Sequence, residues 1–120
     1  MTQKPTVVWA EIPVRDLDKA QAFYETVFGF NMARDTSGPN DMVNFDAQMS
    51  GIGGHLYPGE PASGNGPTLH LAVPDNLEAA IDRCTKAGGA IVSPAITIPP
   101  GRFAYATDPD GNSLGLFEAA

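Results

Sequence analysis

WAEIPVRD at residues 9–16 and TLHLAVPD at residues 68–75 are two versions of one short pattern, and this pattern decides the fold. Each is a β-rich run that ends in an aspartate suited to start a helix. A glycine suited to end that helix follows each aspartate 13 residues later, at Gly29 and Gly88. Strand, helix start and helix end therefore recur at an offset of 59 residues. Such a repeat predicts a supersecondary unit that needs its copy to bury its apolar face.

The rest of the chain divides in the same way in both halves. Alternating runs predict strands at 7–14, 30–34, 42–47 and 51–56, and again at 67–73, 90–98, 101–107 and 113–118. Helical spacing predicts one helix after Asp16 and one after Asp75, the second with Glu78 in a capping box. YPGEPASGNG at 57–66 has the composition of a linker. We therefore predict one α+β domain over 6–118, built from βαβββ repeats at 6–56 and 67–118.

Composition excludes several classes of partner. The 120 residues carry a formal net charge of −7 without a basic run, so we expect neither nucleic acid nor an anionic membrane surface as a partner. No apolar stretch reaches the length of a membrane span. Met1 to Pro5 does not resemble a signal peptide, and the single Cys84 falls on the apolar stripe of the second helix. We expect a cytoplasmic protein in which Cys84 is a small core residue.

A trough between the two sheets is the predicted functional region, because each helix can cover only one face of its own sheet. Strand periodicity puts Trp9, Glu11 and Pro13 on one face of the first strand. Thr68, His70 and Ala72 share the matching face in the second half. Glu11 and His70 are thus matched positions that place a carboxylate opposite an imidazole. They are our candidate catalytic residues.

This acid and imidazole allow three interpretations. They can be a purely structural hydrogen-bonded pair, since buried polar groups need partners. They can move a proton on a bound carbonyl compound, with displaced and coupled pKa values. With His55 from a neighbouring strand, Glu11 and His70 would also form a 2-His-1-carboxylate set suited to iron, manganese or zinc.

Further side chains are candidates for binding a ligand in the trough. Trp9, Tyr57 and Phe117 offer flat apolar surfaces, whereas core packing is favoured for Phe103 or Tyr105. Arg102, in a predicted hairpin, is placed to meet an anionic group, and Glu118 is expected to face solvent. The predicted ligand-binding set is Trp9, His55, Tyr57, Thr68, Arg102 and Phe117.

Three stretches of the chain resemble the vicinal oxygen chelate superfamily, which includes glyoxalase I, bleomycin-resistance proteins and extradiol dioxygenases. They are EIPVRDLDKAQAFYETVFGF, LHLAVPDNLEAAIDRCTKAGGAIV and GRFAYATDPDGNSLGLFE, and the resemblance spans about residues 6–118. It implies paired βαβββ modules that form a glyoxalase-like incomplete barrel around a cavity. It also implies frequent homodimers, and a divalent ion in the cavity of metal-dependent members.

The metal ligands of that superfamily correspond poorly to this chain. The resemblance puts the four ligand positions on Trp9, His55, Thr68 and Gly115, and of these His55 alone is a plausible ligand. We therefore expect no cofactor at the usual site. A displaced site at Glu11, His55 and His70, holding zinc, nickel, iron or manganese, is the alternative.

Three functions remain open on the sequence. The first is a lyase or isomerase in which Glu11 and His70 act as base and acid on a carbonyl substrate held against Trp9. The second is a non-catalytic protein that binds a small molecule or drug, as the resemblance to bleomycin-resistance members implies. The third is a module that dimerises or serves another partner. In the first two cases the partner is a small organic molecule, and we expect a homodimer.

Overall fold

The computed structural model describes residues 7–48 and 52–120. In these ranges the chain forms β1 Trp9–Val14, α1 Leu17–Phe28, β2 Ala33–Asp35, β3 Met42–Asn44, β4 Gly53–Pro58, β5 Leu69–Ala72, α2 Leu77–Lys86, β6 Ala90–Ile91, β7 Ile96–Ile98, β8 Gly101–Thr107 and β9 Ser113–Ala119. The predicted α+β class is confirmed. Residue 6, where the first repeat was predicted to begin, and Gly51, the predicted start of a strand, lie outside the described residues.

Each module builds one sheet with the same strand pairing. The first sheet has the order β1-β4-β3-β2, and the second has the order β5-β9-β8-β6 with β7 also paired to β8. The first strand of each module lies parallel to its last strand, so β1 pairs with β4 and β5 pairs with β9. The other pairs are antiparallel. The two sheets remain separate, so the barrel is open, as predicted.

One apolar core lies between the helices and the sheets. The buried face of α1 carries Phe23, Tyr24, Val27 and Phe28. Buried residues of both sheets complete the core, namely Ile12, Val14, Val43, Leu56, Ala104, Ala106, Leu114 and Leu116. Because strand side chains alternate, this packing leaves the odd-numbered residues of β1, Trp9, Glu11 and Pro13, on the face away from the helices. No helix in the described residues combines the length and the apolar character that a membrane crossing needs.

The helix boundaries agree with the sequence for α1 and differ by one residue for α2. Asp16 accepts from the Lys19 N–H at 3.0 Å, and Gly29 ends α1 at φ 70°. The N-cap of α2 is Asn76, which accepts from the Ala79 N–H at 2.9 Å, and not Asp75. Asp75 instead forms a two-pronged ion pair with Arg83, with N–O distances of 2.7 and 2.9 Å.

Within the described residues the strand at 101–107 has its predicted limits, and the other predicted strands are shortened, shifted, extended or divided. The strand predicted at 90–98 is interrupted, because the Tyr105 N–H donates to the Ser93 side-chain oxygen at 2.9 Å where a ladder bond would otherwise form. β4 extends to Pro58, two residues into the segment predicted as the linker.

Buried polar groups connect the two modules. The Tyr24 hydroxyl on α1 donates to Asp108 Oδ2 at 2.7 Å, and burial raises the pKa of this hydroxyl. Asp108, which is 3% exposed, also accepts from the N–H groups of Asp110 and Asn112 at 2.9 Å. The Asn112 side chain then donates to the Pro13 carbonyl of β1 at 2.8 Å. This hydrogen-bond network therefore joins β1 and α1 to the turn between β8 and β9.

We predict that Tyr24→Phe destabilises the protein by about 1–3 kcal/mol, because it leaves a buried carboxylate oxygen short of a donor. Equilibrium denaturation by urea measures this loss. Tyr57→Phe is the matched control, since the Tyr57 hydroxyl forms no hydrogen bond among residues 7–48 and 52–120. An equal effect of both substitutions would show that the network does not stabilise the contact between modules.

Candidate functional site

Trp9, Glu11 and His55 form a hydrogen-bonded group on the face of the first sheet away from the helices. The parallel register of β1 and β4 places Glu11 beside His55 and Trp9 beside Gly53. The Trp9 Nε1–H donates to His55 Nδ1 at 2.9 Å. His55 Nε2 lies 3.1 Å from Glu11 Oε1. The imidazole is therefore held on both sides.

The side chains of this group differ in how far they are exposed to solvent. The His55 side chain is 10% exposed, whereas the Glu11 side chain is 64% exposed. The Tyr57 ring stands edge-on to His55, with centroids 6.1 Å apart. His55 thus lies behind the carboxylate, and Glu11 is the group that a ligand can reach.

A cavity of about 350 Å³ lies in front of Glu11. It is bounded by β1, by Leu69 of β5 and by the segment that joins the two modules. Trp9 and Glu11 both line it, and its other ionisable lining residue is Glu60. The cavity takes Trp9, Glu11 and Pro13 from β1, as the sequence predicted for the trough, but from β5 it takes Leu69 and not the predicted Thr68, His70 and Ala72.

His70 does not pair with Glu11, contrary to the sequence prediction. Its ring lies edge-on to Phe103 at 4.8 Å and to Phe117 at 6.1 Å, and it is tilted against Tyr105 at 5.8 Å. It forms no hydrogen bond within the part of the chain that the structure describes. The physical reason is strand pairing, since β1 and β5 belong to separate sheets and Glu11 meets the imidazole of its own neighbour β4.

Gly115 makes room for the His70 ring. These two residues are register partners in β5 and β9, and a Cβ atom on Gly115 would lie 2.1 Å from His70 Nδ1. No side chain larger than hydrogen fits there while the ring keeps its position. The glycine at the superfamily's carboxylate position is thus matched to the histidine beside it.

Two predicted ligand-binding residues, Phe117 and Thr68, lie on this face of the second module or at its edge. Phe117 stacks on Phe103, with centroids 6.3 Å apart, and so belongs to the aromatic group around His70. The Thr68 hydroxyl lies 2.5 Å from that of Ser113, which already supplies it with a hydrogen-bond partner. Tyr105 also belongs to the aromatic group. Sequence reasoning missed Phe103 and Tyr105 as site residues, although their spacing of two places both on one strand face.

Arg102 is not available to an anionic ligand, which corrects another prediction. Its guanidinium contacts Glu78 at 2.6 Å and Glu118 at 2.9 Å. Glu118 does not simply face solvent, since it also accepts from the Leu77 N–H at the start of α2 at 2.7 Å. That backbone bond and the Arg102 side chain hold the pKa of Glu118 below its usual range. Both carboxylate oxygens of Glu78 accept hydrogen bonds from Arg102. Glu78 therefore does not reach back to the start of α2, and the predicted capping box does not form.

Cys84 is a core residue, as predicted. It is 0% exposed, and burial raises the pKa of its thiol to about 11. A thiol in this environment is a poor nucleophile because little thiolate forms near neutral pH. Cys84 therefore takes no part in the candidate site.

The fold has clear counterparts among known proteins. The family model described as "Glyoxalase/Bleomycin resistance protein/Dioxygenase superfamily" matches residues 6–116. The chain belongs to this superfamily. It is 31% identical over 118 residues to a protein of Mycobacterium bovis named "Putative glyoxylase CFP32". The alignment covers 96% of the chain but 44% of that protein, so the chain spans about half the length of the curated relative.

Solved structures of the superfamily share the whole fold. A member from Sphaerobacter thermophilus is 25% identical with a TM-score of 0.69, over 96% of this chain and 98% of that one. TnmS3, described as an antibiotic binding protein from Streptomyces sp. CB03234, is 27% identical with a TM-score of 0.67. That alignment covers 100% of both chains.

The residues at the superfamily's metal positions do not fit a metal ion. The Trp9 indole is a donor without a lone pair for a metal, Thr68 is bonded to Ser113, and Gly115 has no side chain. Both nitrogens of His55 are already engaged. Within the described ranges, no three His, Cys, Asp or Glu side chains are grouped to hold an ion. The displaced set is not assembled either, because His70 lies with the aromatic residues of the second sheet.

We predict that Gly115→Ala displaces the His70 ring and costs about 1 kcal/mol of stability through lost aromatic contacts. The NMR shifts of the His70 ring protons measure the displacement, because the edge-on Phe103 and Phe117 rings perturb them. Gly38→Ala is the control, since a Cβ there would meet no atom within 4 Å. Unchanged His70 shifts in Gly115→Ala would contradict the proposed fit of ring to glycine.

We also predict that excess Ni(II) or Zn(II) leaves the melting temperature of the protein unchanged. An ion raises this temperature only if it binds the folded state, and the described residues hold no group of three side chains that could bind one. Differential scanning calorimetry measures the effect. A rise of several degrees that His55→Ala abolishes would contradict this prediction and would instead support the displaced metal site.

Proposed function

We propose that this protein binds a small, largely aromatic organic molecule in the 350 Å³ cavity between β1, β5 and the connecting segment. The observation that carries the proposal is the occupant of the superfamily's first metal position. This residue is Trp9, whose indole lines the cavity and is hydrogen-bonded to His55. A flat apolar ring in place of a metal ligand favours holding an organic molecule over chelating an ion.

The size and chemistry of this cavity support a binding role. Its volume is within the range of about 300–1,000 Å³ that is usual for small-molecule sites. It combines apolar surface from Trp9, Pro13 and Leu69 with a few polar side chains, of which Glu11 and Asn112 are held by hydrogen bonds. Few, fixed polar groups in an apolar wall are what orients a ligand.

A larger cavity of about 560 Å³ lies between α1 and α2. Its lining includes Lys19, Phe23 and Arg83. The Arg83 guanidinium is already occupied by Asp75 and by the Val27 carbonyl. Because the guanidinium of Arg83 is engaged, this cavity offers a ligand fewer free polar contacts than the cavity that Trp9 lines.

One relative that matches this chain over its whole length supports a binding function. TnmS3 is described as an antibiotic binding protein, and it aligns with this chain from end to end. The relative described as a glyoxylase is more than twice as long as the matched region, so an activity of that whole protein is not carried over. Sequestration of an organic compound without chemistry is therefore the function we favour.

Proton transfer on a carbonyl compound, as in a lyase or isomerase, is the second candidate. It is favoured by one observation, the exposed Glu11 carboxylate held by a buried imidazole. In this version His55 takes the place that the sequence gave to His70, and Glu11 is the base.

We also propose that the protein is a homodimer. Val7, Val8 and Ile52 are 63%, 65% and 56% exposed beside the start of β1 and β4. Apolar side chains gathered at one sheet end are typical of a surface that another chain covers. Light scattering should give twice the 12.6 kDa of one chain, and a single-chain mass would refute the dimer.

A fluorescence titration tests the binding function. Trp9 is the only tryptophan, so planar aromatic compounds that enter the cavity should change its emission. The compounds should include hydroxyquinones and aromatic aldehydes. Ala62→Phe fills this cavity and should weaken binding at least tenfold, whereas Ala22→Phe fills the cavity between the helices and should not.

The outcomes separate the candidate functions. Loss of binding in Ala22→Phe alone would place the ligand between the helices and refute the proposal. The compounds should be recovered unchanged after incubation. Conversion that Glu11→Gln abolishes would instead establish the proton-transfer function.

A further inference from the structure

We infer that Trp9 is a positioning residue that fixes the tautomer of His55, and that Glu11 thereby selects a ligand with an N–H or O–H donor. The part of this inference that concerns the ligand rests on the proposed binding function. The juxtaposition that carries it is the line of polar atoms from the Trp9 indole through both His55 nitrogens to Glu11.

The first step is the direction of the bond between Trp9 and His55. An indole N–H can donate and cannot accept. The 2.9 Å contact to His55 Nδ1 therefore requires a lone pair on that nitrogen. A neutral imidazole without hydrogen on Nδ1 carries its hydrogen on Nε2. The indole thus selects one of the two tautomers.

The second step concerns Glu11. With hydrogen on Nε2, His55 donates to Glu11 Oε1 across 3.1 Å. Glu11 forms no other hydrogen bond within the ranges that the structure describes. Its second oxygen remains available to the cavity, which Glu11 lines. A carboxylate that already accepts from a fixed N–H presents that oxygen as a further acceptor.

The third step is the charge around the cavity. Its two ionisable lining residues are both acids, Glu11 and Glu60. Glu60 is paired with Arg15 at 3.7 Å and is 88% exposed, so Glu11 is the acid with the better defined position. The ligand complementary to these groups bears a protonated amine or a hydroxyl on an apolar, aromatic body.

The same arrangement explains the poor fit to a metal. His55 is the one superfamily ligand position that still holds a metal-binding side chain. The hydrogen bonds to Trp9 and Glu11 use both of its nitrogens. An ion could bind His55 only after one of them is broken. Trp9 therefore has two effects: it replaces the metal ligand at residue 9, and its hydrogen bond engages Nδ1 of the ligand at residue 55.

Nitrogen-15 NMR of the histidine rings tests the tautomer under mildly alkaline conditions. The chain has two histidines, so a His70→Gln variant assigns both rings. We expect wild-type His55 to show the Nε2–H form, which the carboxylate of Glu11, an acceptor only, also favours. Glu11→Gln, whose amide can accept or donate, should keep this form through Trp9 alone, and adding Trp9→Phe, which keeps a ring and removes the donor, should give a mixture. The same tautomer population with and without Trp9→Phe in the Glu11→Gln protein, or the Nδ1–H form in the wild type, would overturn the role of Trp9.

Calorimetric titration with two matched probes tests the ligand class. 2-Naphthylmethylamine and 2-naphthylacetate share one ring system and carry opposite charges. We expect the amine to bind at least tenfold tighter, since its ammonium group can donate a charge-assisted hydrogen bond to Glu11 whereas the carboxylate of the other probe is repelled. Glu11→Gln should remove most of this preference. Trp9→Phe should reduce it severalfold, because Glu11 is then held less firmly.

The failures of the two proposals are distinguishable. If neither naphthyl probe nor any compound of the fluorescence panel binds, the binding function is wrong, and the ligand class fails with it. The NMR result then still decides whether Trp9 fixes the tautomer. If both probes bind equally, or the anion binds tighter, the binding function stands and the selection by Glu11 is refuted.

Discussion

The parallel pairing of the first and last strands in each module is the constraint on which the site depends. In this pairing Glu11 is the neighbour of His55, and His70 is the neighbour of Gly115. Parallel strands hold their register through evenly spaced bonds, and a slip of one residue would turn each of these side chains toward the helices. The backbone register therefore decides which side chains lie next to each other on the face of each sheet.

The two modules keep their relative position through polar contacts as well as through apolar packing. The buried Asp108 collects donors from Tyr24 and from its own turn, and Asn112 reaches the Pro13 carbonyl beside Glu11. Burying a carboxylate is unfavourable unless several donors compensate it, so the turn and α1 must dock together. Because this docking ends next to β1, it also fixes one wall of the cavity.

The sequence predicts faces better than it predicts neighbours. Period-two alternation correctly places Trp9 and Glu11 on one face, and the glycine and aspartate signals correctly bound α1. Local patterns do not encode which distant strand lies beside β1, so the partner of Glu11 was misassigned to His70. The one-residue shift of the α2 cap has a similar cause, since Arg83 competes for Asp75 across two turns of helix.

The matched positions of the two modules carry opposite arrangements. In the first module the inner strand supplies an imidazole and the edge strand an acid, which together form a fixed polar group. In the second, the edge strand supplies the imidazole and the inner strand a glycine, so the ring packs among Phe103, Tyr105 and Phe117. A metal site needs ligands from both halves, whereas a site for an organic molecule needs a polar anchor and apolar surface. Gly115 and the aromatic surroundings of His70 therefore belong together, because a Cβ atom at residue 115 would lie 2.1 Å from His70 Nδ1.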